Sequence, residues 1–378
     1  MPDTGPLQPA PGRGPIFIVG AMGSGSTLLR LILDSHDQIA VPQETGFMRA
    51  YNAHQFVPLK WSGRNWAKRM GWSREELDEE LARFYERIFT RYAERHGKQR
   101  WGDKTPLHTW HVDAMARLFP DAAFVGIVRH PGGAVGSNMG RFGHSFPRAL
   151  THVARYEREI ARQAARHGDR FAILRYEELV LSPEALLREL LDWLGEPWSN
   201  RVLEHQDVQV GRGGKLMVEG RNRIDDPIDV SRIGKWERTI PERRRPALRR
   251  RVGGLAAFYG YAIDDPAVLE PLRDDGGLLI GGRDIDARID AFGDLGPREE
   301  PEWPLAESFY HPGKMQLHRV VEPAPRPESA AAATRRGRPE VLVRAWRVLP
   351  PGARRRLRPL AGRSLRAVRR ARRRVAAG

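Results

Sequence analysis

The chain has 378 residues, of which 40% are hydrophobic, so it can build one large α/β domain or two smaller ones. It contains no cysteine, which excludes disulfides, thiolate metal sites and cysteine nucleophiles. Its net charge of +16 is concentrated at one end, because residues 331–378 hold 16 arginines and a single glutamate. The rest of the chain is nearly neutral, which argues against a nucleic-acid-binding surface across the body.

The first elements in the chain are typical of an α/β protein. Residues 1–14 are rich in proline and glycine and predict a disordered lead without the apolar core of a secretory signal. A buried strand is predicted at residues 16–20, and an apolar helical pattern begins at Ser26. Because no apolar run reaches the length of about 18 residues that a membrane span needs, we expect a cytoplasmic protein.

The later elements alternate between helices and strands. The patterns predict, in chain order, a loop at 34–46, a helix from the Ser73–Glu76 capping box to about His96, a loop at 101–106, a helix at 107–118, a strand at 123–128, a helix from Pro131 to about Met139, a helix at 146–167, a strand at 171–175, a helix that Ser182 caps and that ends at Gly195, and a helix from Thr239 to about Tyr259.

This alternation predicts an α/β fold, a P-loop-like three-layer fold with a mostly parallel central sheet flanked by helices. Its ligand should lie beyond the carboxyl ends of the strands. Residues 15–262 would form this domain, and residues 263–330 would be an appendage or linker rich in Asp, Gly and Pro. Residues 331–378 would form a polybasic tail that is either disordered or an amphipathic helix.

The turn between the first strand and the first helix carries the clearest chemical signal. It leaves backbone N–H groups unpaired at a helix N-terminus, where the helix dipole is positive. We therefore expect a phosphate or a similar tetrahedral anion to bind Gly23, Ser24, Gly25, Ser26 and Thr27. The spacing matches Gly-x-x-x-x-Gly-Lys-[Ser/Thr], but Ser26 replaces the lysine, which disfavours a kinase.

A second group of anion ligands is predicted where the strand at 123–128 ends. Arg129 follows this strand directly, and Ser137 and Arg141 share one face of the next helix because they are four residues apart. Two guanidinium groups and a hydroxyl suit a phosphate monoester. The alternative is an ordinary surface ion pair of Arg129, with Ser137 merely solvated.

Together these segments resemble the sulfotransferase family that uses 3′-phosphoadenosine 5′-phosphosulfate (PAPS), and most of all its tyrosylprotein-sulfotransferase-like and bacterial branch. The likeness covers about residues 15–262 and includes the eight-residue spacing from Arg129 to Ser137. Further matching segments are Glu44-Thr45, Gly102-Asp103-Lys104-Thr105-Pro106, Arg175-Tyr176-Glu177-Glu178-Leu179 and Gly234-Lys235-Trp236. One position departs from the pattern, because the first loop of this family usually carries Arg or Lys where this chain has Gly23.

The resemblance implies a sulfuryl transfer from PAPS to an acceptor hydroxyl, with no metal. It makes Glu44 the general base and Lys104 a cation that contacts the sulfonate, while Tyr176 and Lys235 would contact the nucleotide. His108 and His111 are alternative bases, because histidine titrates near neutral pH. A structural role is the alternative for each residue, such as an ion pair of Lys104 with Asp103.

The sequence leaves the acceptor, the role of the tail and the oligomeric state open. A small molecule, a sugar, a lipid or a peptide could supply the acceptor hydroxyl. The protein could also be a catalytically weakened PAPS-binding or anchoring protein, since it has Gly23, or less plausibly a nucleotide-dependent kinase. Apolar positions among the tail arginines suggest contact with an anionic membrane or an acidic partner, against the alternative of a solvated tail.

Overall fold

The computed structural model describes residues 13–52, 71–211, 227–265, 272 and 277–298. Within them lies a six-stranded sheet in the order β2-β3-β1-β4-β5-β6, in which every neighbouring pair is parallel except β5 and β6. The strands are β1 (Ile16–Val19), β2 (Ile39–Ala40), β3 (Arg100–Lys104), β4 (Ala123–Val128), β5 (Phe171–Arg175) and β6 (Leu279–Ile280). The predicted α/β class with a mostly parallel sheet is confirmed.

The α-helices with defined bounds in the described residues are α1 (Ser26–Ser35), α2 (Arg74–Arg95), α3 (Val112–Leu118), α4 (Pro131–Phe142), α5 (Phe146–His167), α6 (Tyr176–Leu181), α7 (Pro183–Trp193), α8 (His205–Gly211), α9 (Trp236–Thr239), α10 (Arg245–Phe258) and α11 (Arg283–Phe292). They cover both faces of the sheet. Successive side chains of a strand point to opposite faces, and those of β1 pack against different helices. Phe17 and Val19 pack in a core with residues of α2, α3, α5 and α10, whereas Ile16 and Ile18 pack with α1, α6 and α7. The fold therefore has three layers.

Elements with strong apolar patterns or caps lie where the sequence predicts them. Strands β1, β4 and β5 and helix α5 match their predicted positions. At the start of α2, Ser73 Oγ accepts from the Glu76 N–H at 3.1 Å, and Glu76 Oε2 accepts from the Ser73 N–H at 2.6 Å. The predicted capping box is therefore present.

The predicted loop at 101–106 is wrong, because residues 100–104 form β3 beside β1 in the sheet. The sequence Arg-Trp-Gly-Asp-Lys lacks the apolar run of a buried strand, yet all five residues are buried. Each charge on β3 has a partner instead: Arg100 pairs with Glu196, Asp103 with His108, and Lys104 with Glu44. Buried charges persist when they are paired and hydrogen-bonded.

Smaller differences occur at helix starts. Residues 106–111 form a 3₁₀ helix before α3, and residues 242–244 form another before α10, so the α-helices begin later than predicted. The Ser182 side chain makes no capping hydrogen bond, although α7 begins at the next residue. The short strand β2 lies inside the predicted 34–46 loop, because two residues are too few to give a periodic pattern.

The sheet continues beyond residue 262, into the segment predicted as an appendage or linker. Strand β6 pairs with β5, and α11 follows it, with Leu279 and Ile285 both in the core of Phe17. Residues 1–12 of the predicted lead at 1–14 and the whole tail at 331–378 lie outside the described residues, so their predicted properties stay predictions. No helix in the described part of the chain is long and apolar enough to cross a membrane.

We expect a chain ended after residue 262 to be less stable than one ended after residue 330. The shorter chain lacks Leu278, Leu279 and Ile285, which are fully buried. Burial of one such side chain is worth about 1.5–3 kcal/mol, so we expect a loss of at least about 3 kcal/mol in the free energy of unfolding. Urea denaturation measures this difference. Equal stability of the two chains would mean that the segment is an appendage after all.

Candidate functional site

A cleft of about 820 Å³ lies beyond the carboxyl ends of the parallel strands, beside the loop that follows β1 and the residues that follow β4. These two strands are neighbours where the strand order reverses, which is the usual ligand site of such sheets. The predicted site residues that line the cleft are Gly23, Gly25, Ser26, Thr27, Glu44, Arg129, Ser137, Arg141, Tyr176 and Lys235. Ser24 and Lys104 are buried and do not line it.

Residues 23–27, here called the anion loop, depend on two glycines. Gly23 has φ +85° and Gly25 has φ +103°, a region that other residues rarely adopt. A Cβ atom at Gly25 would lie 2.4 Å from Tyr176 Cδ2, and one at Gly23 would lie 3.0 Å from Ser137 Oγ. A side chain at either position therefore meets a neighbouring part of the cleft.

The anion loop leads directly into α1, and Gly25 is the N-terminal cap of that helix without a side-chain hydrogen bond. The first turn of α1 carries no acidic residue. No carboxylate in this turn therefore neutralises the positive end of the helix dipole or binds the N–H groups of the first turn, which lines the cleft. This arrangement suits a tetrahedral anion.

Arg129 connects the anion loop to the opposite wall of the cleft. Its Nη1 donates to the Gly23 carbonyl at 3.2 Å, and its Nη2 donates to the Arg232 carbonyl at 3.1 Å. Its guanidinium carbon lies 4.2 Å from the centre of the Tyr176 ring, which is a cation–π distance. Arg129 is therefore held on three sides at the edge of the cleft.

Several cations gather around Arg129. Burial lowers the pKa of Arg141, and the nearby charges of Arg232 and Arg129 lower it further. Lys235 is exposed at the rim and donates to Ser231 Oγ at 3.3 Å. Because like charges repel, such a group is most favourable when an anion lies among them. Arg232 was not predicted from the sequence, because its contact with Arg129 spans 103 residues and no local pattern marks it.

Trp236 fixes the segment that carries Lys235 against α4. The Trp236 ring is buried and stacks on His130, with the ring centroids 5.2 Å apart. It lies so close to Gly132 that a Cβ atom on this glycine would be only 2.6 Å from Trp236 Cδ2. A Cβ of Gly136 would lie 3.0 Å from Trp236 Cβ. The two glycines let this wall of the cleft approach the helix closely.

Glu44 and Lys104 meet at the base of the cleft. Lys104 Nζ donates to Glu44 Oε1 and lies 3.4 Å from Thr27 Oγ1 of the anion loop. The Lys104 side chain is 0% exposed, whereas that of Glu44 is 44% exposed. The carboxylate can therefore reach a ligand in the cleft, and the ammonium group supports both Glu44 and the loop from below.

The alternative bases lie behind this pair and do not line the cleft. His108 Nδ1 is 2.7 Å from Asp103 Oδ1, and Thr45 Oγ1 donates to Asp103 Oδ2 at 2.7 Å. Burial opposes ionisation of Asp103, but the charge of His108 and the hydrogen bonds from His108 and Thr45 outweigh it and lower its pKa. Burial, with the charges of His108, Arg298 and Arg49, lowers the pKa of His111 to about 4.

His108 and Asp103 anchor Thr45, the residue after Glu44, and this fixes the backbone beside the carboxylate. The structural alternative for Lys104, an ion pair with Asp103, is replaced by two separate pairs, Lys104 with Glu44 and Asp103 with His108. Among the described residues, no group of three His, Asp or Glu side chains is arranged to hold a metal ion.

Comparison with known proteins points to one family. Residues 15–200 match the model of a sulfotransferase family. Protein-tyrosine sulfotransferase 1 of Danio rerio is 29% identical over 242 residues, which are 60% of this chain and 66% of that protein. The protein-tyrosine sulfotransferase of Drosophila melanogaster is 29% identical over 240 residues, 60% of this chain and 47% of that protein. The chain thus spans less than two-thirds of the length of these relatives.

Solved structures give weaker similarities. The sulfotransferase domain of the Synechococcus PCC 7002 olefin synthase is 25% identical, with a TM-score of 0.49 over 68% of this chain and 98% of that domain. Mouse sulfotransferase SULT7A1, solved in complex with PAP, is 11% identical with a TM-score of 0.39, over 65% of this chain and 84% of that one.

Gly25→Ala should weaken anion binding, with Gly97→Ala as a matched control. Both glycines have positive φ, but a Cβ at Gly97 would meet nothing within 4 Å, whereas one at Gly25 would collide with Tyr176. Both variants should lose about 1–2 kcal/mol of stability from the left-handed backbone. Only Gly25→Ala should also lower the affinity for adenosine 3′,5′-bisphosphate, by tenfold or more in calorimetry. Equal affinities of the two variants would contradict the assignment of the loop.

Proposed function

We propose that the chain is a sulfotransferase that transfers a sulfuryl group from PAPS to an acceptor hydroxyl, because residues 15–200 match the sulfotransferase family. The observation that carries the proposal is the arrangement of two anion-binding groups in one cleft. The anion loop forms one group, and Arg129, Ser137 and Arg141 form the other; both line the cleft, and they meet where Arg129 and Ser137 approach Gly23. PAPS has two anionic ends, a 5′-phosphosulfate and a 3′-phosphate, and this matches the two groups.

We assign the 5′ end of the donor to the anion loop and the 3′-phosphate to Arg129, Ser137 and Arg141. The glycine at 25 lets Tyr176 lie against the loop, so that its ring can contact the nucleotide between the two ends. Lys235 at the rim adds a charge near the 3′-phosphate. The fit is supported by the guanidinium groups of Arg129 and Arg232 near Arg141, because a bound anion would reduce their mutual repulsion.

In the proposed reaction the acceptor oxygen attacks sulfur in line with the leaving phosphate. The donor supplies the sulfuryl group, one S–O bond forms, and the S–O bond to the nucleotide breaks, so adenosine 3′,5′-bisphosphate leaves with the electron pair. Glu44 takes the proton of the acceptor hydroxyl, and its partial exposure in the cleft supports this role. The protein mainly positions groups and stabilises charge, as in phosphoryl transfer.

The loop N–H groups would stabilise the charge that develops on the leaving oxygen, and Lys104 would add its positive charge from behind the loop, because it does not line the cleft. Lys104 Nζ lies 3.4 Å from Thr27 Oγ1 and contacts Glu44, so it can serve the base and the leaving group together. Gly23 provides no side-chain cation here. Loss of one such donor typically slows a reaction by about 10²–10³ without abolishing it.

For the acceptor we propose a tyrosine hydroxyl of a peptide or protein, because the relatives are named protein-tyrosine sulfotransferases. A sugar, a lipid and a small-molecule alcohol are the alternatives, and a panel of labelled-donor assays separates them. A cytoplasmic location and contact of the basic tail with an anionic membrane or acidic partner stay predictions from the sequence.

Gly23 favours one second candidate, a protein that binds PAPS without turning it over. The position cannot regain a cation simply, because a Cβ there would lie 3.0 Å from Ser137. A kinase is disfavoured by Ser26 in place of the phosphate-binding lysine. Turnover of labelled PAPS with the acceptor panel separates an enzyme from a binding protein.

Arg129→Ala should weaken the binding of adenosine 3′,5′-bisphosphate by about 10- to 100-fold, because a hydrogen bond to a charged group contributes about 1.5–3 kcal/mol. The control is Arg188→Ala, on an exposed ion pair of α7 away from the cleft, which should leave the affinity unchanged. Calorimetry measures both. ATP binding as tight as that of the bisphosphate, or an unchanged affinity in Arg129→Ala, would refute the proposed donor site.

Glu44→Gln should lower kcat by about 10²–10⁴, the usual contribution of a general base, while donor affinity stays within about threefold. The control is Glu184→Gln on the exposed face of α7, which should keep wild-type turnover. Steady-state assays with labelled PAPS report kcat, and calorimetry reports donor binding. Unchanged turnover in Glu44→Gln would reject Glu44 as the base.

A further inference from the structure

Side chains of two helices hold the two peptide groups that flank Met22, just before the anion loop. The Met22 N–H donates to His152 Nε2 at 3.2 Å, and the Met22 carbonyl accepts from Asn138 Nδ2. Asn138 belongs to α4 and also donates to the Ala134 carbonyl at 2.9 Å, whereas His152 belongs to α5. Residue 22 is thus fixed by two elements that are distant in sequence.

The anion loop needs such support because its own residues restrain it little. Glycine enters the positive-φ region freely and also leaves it freely, so Gly23 and Gly25 do not lock the backbone by themselves. A loop of this kind binds an anion only while its N–H groups converge on one point. Residues 23–27 include no cationic side chain, so the orientation of these N–H groups decides how well the loop binds.

We propose that His152 is a positioning residue for the anion loop, because its acceptance of the Met22 N–H fixes the Ala21–Met22 peptide group just before the loop, while Asn138 holds the next peptide group, which leads into Gly23. The proposal rests on the proposed function, since it takes the loop as the site of the 5′ end of the donor. In this role His152 acts through the backbone and not on the reacting atoms. Nothing in the sequence pattern marks it, because it lies 130 residues away from Met22.

The hydrogen bond requires a neutral imidazole with its proton on Nδ1, because Nε2 must offer its lone pair. The surroundings favour this form. Burial lowers the pKa of His152 to about 4, with further contributions from His144 and Arg148. Tyr156 packs on the ring with centroids 4.4 Å apart, and the His144 ring centroid is 6.4 Å away.

Two substitutions of His152 distinguish the effect of the hydrogen bond to Met22 from the effect of merely having a polar side chain at this position. In His152→Gln the amide oxygen can reach the place of Nε2, whereas in His152→Asn the shorter side chain ends near the place of Nδ1. His144→Gln is the matched control, because His144 neighbours His152 in the same histidine pair and its pKa is also lowered by burial. Thermal denaturation verifies that all three variants fold.

The measured quantity is the ratio of two affinities, that for adenosine 3′,5′-bisphosphate divided by that for adenosine 3′-monophosphate, both obtained by calorimetry near pH 7. This ratio isolates the 5′-phosphate, which is the group that the anion loop would hold. We expect His152→Asn to lower the ratio about tenfold, and His152→Gln and His144→Gln to keep it within about twofold. A purely structural role would lower both affinities alike and leave the ratio unchanged, which would overturn the proposal.

A wild-type protein that binds neither nucleotide would refute the proposed function, and hydrogen exchange then tests the positioning role alone. The amide proton of Met22 should exchange faster in His152→Asn than in His152→Gln, because only the former removes its acceptor. Equal exchange rates in the two variants would overturn the role of His152.

Discussion

The guanidinium group of Arg129 joins the carbonyl of Gly23, the carbonyl of Arg232 and the ring of Tyr176. These three contacts lie on the loop after β1, on the segment that precedes α9, and on the first residue of α6. Each part alone is a short segment with few restraints, and the planar, permanently charged fork of arginine can hold all of them at fixed angles. The shape of the cleft depends on this one side chain.

The close approach of α4 to its neighbours sets the second constraint, and glycines make it possible. Gly23 faces Ser137, while Gly132 and Gly136 face Trp236, with no room for a Cβ in these contacts without movement. The absence of a cation at residue 23 is therefore connected with packing as well as with chemistry. A charge that the resemblance places on the loop is missing, and the loop lies directly against the helix that carries Ser137. In the proposed reaction, charge stabilisation would then depend on the backbone and on Lys104, which reaches the loop from β3.

The sequence predicts those parts of the fold whose signal is local. Apolar runs mark β1, β4 and β5, and a capping box marks the start of α2, so these elements are where the patterns place them. The signals for the anion loop and for the spacing from Arg129 to Ser137 are local too, and residues of both segments line the cleft. Strand β6, Arg232 and His152 have no such signal. Their positions follow from pairing with segments more than 100 residues away, which no short pattern encodes.

Strand β3, which was predicted as a loop, matters most for the site. Its charged residues hide it from hydrophobic periodicity, yet they are the ones that organise the base of the cleft. Asp103 holds Thr45 beside Glu44, and Lys104 holds Glu44 itself and approaches Thr27. Asp103 and His108 form a buried pair, and removing one partner of such a pair typically costs about 3–5 kcal/mol. A strand in the centre of a sheet is also the most rigid place from which to direct a cation. The same polarity that weakens the strand signal in the sequence gives this strand its place in the site.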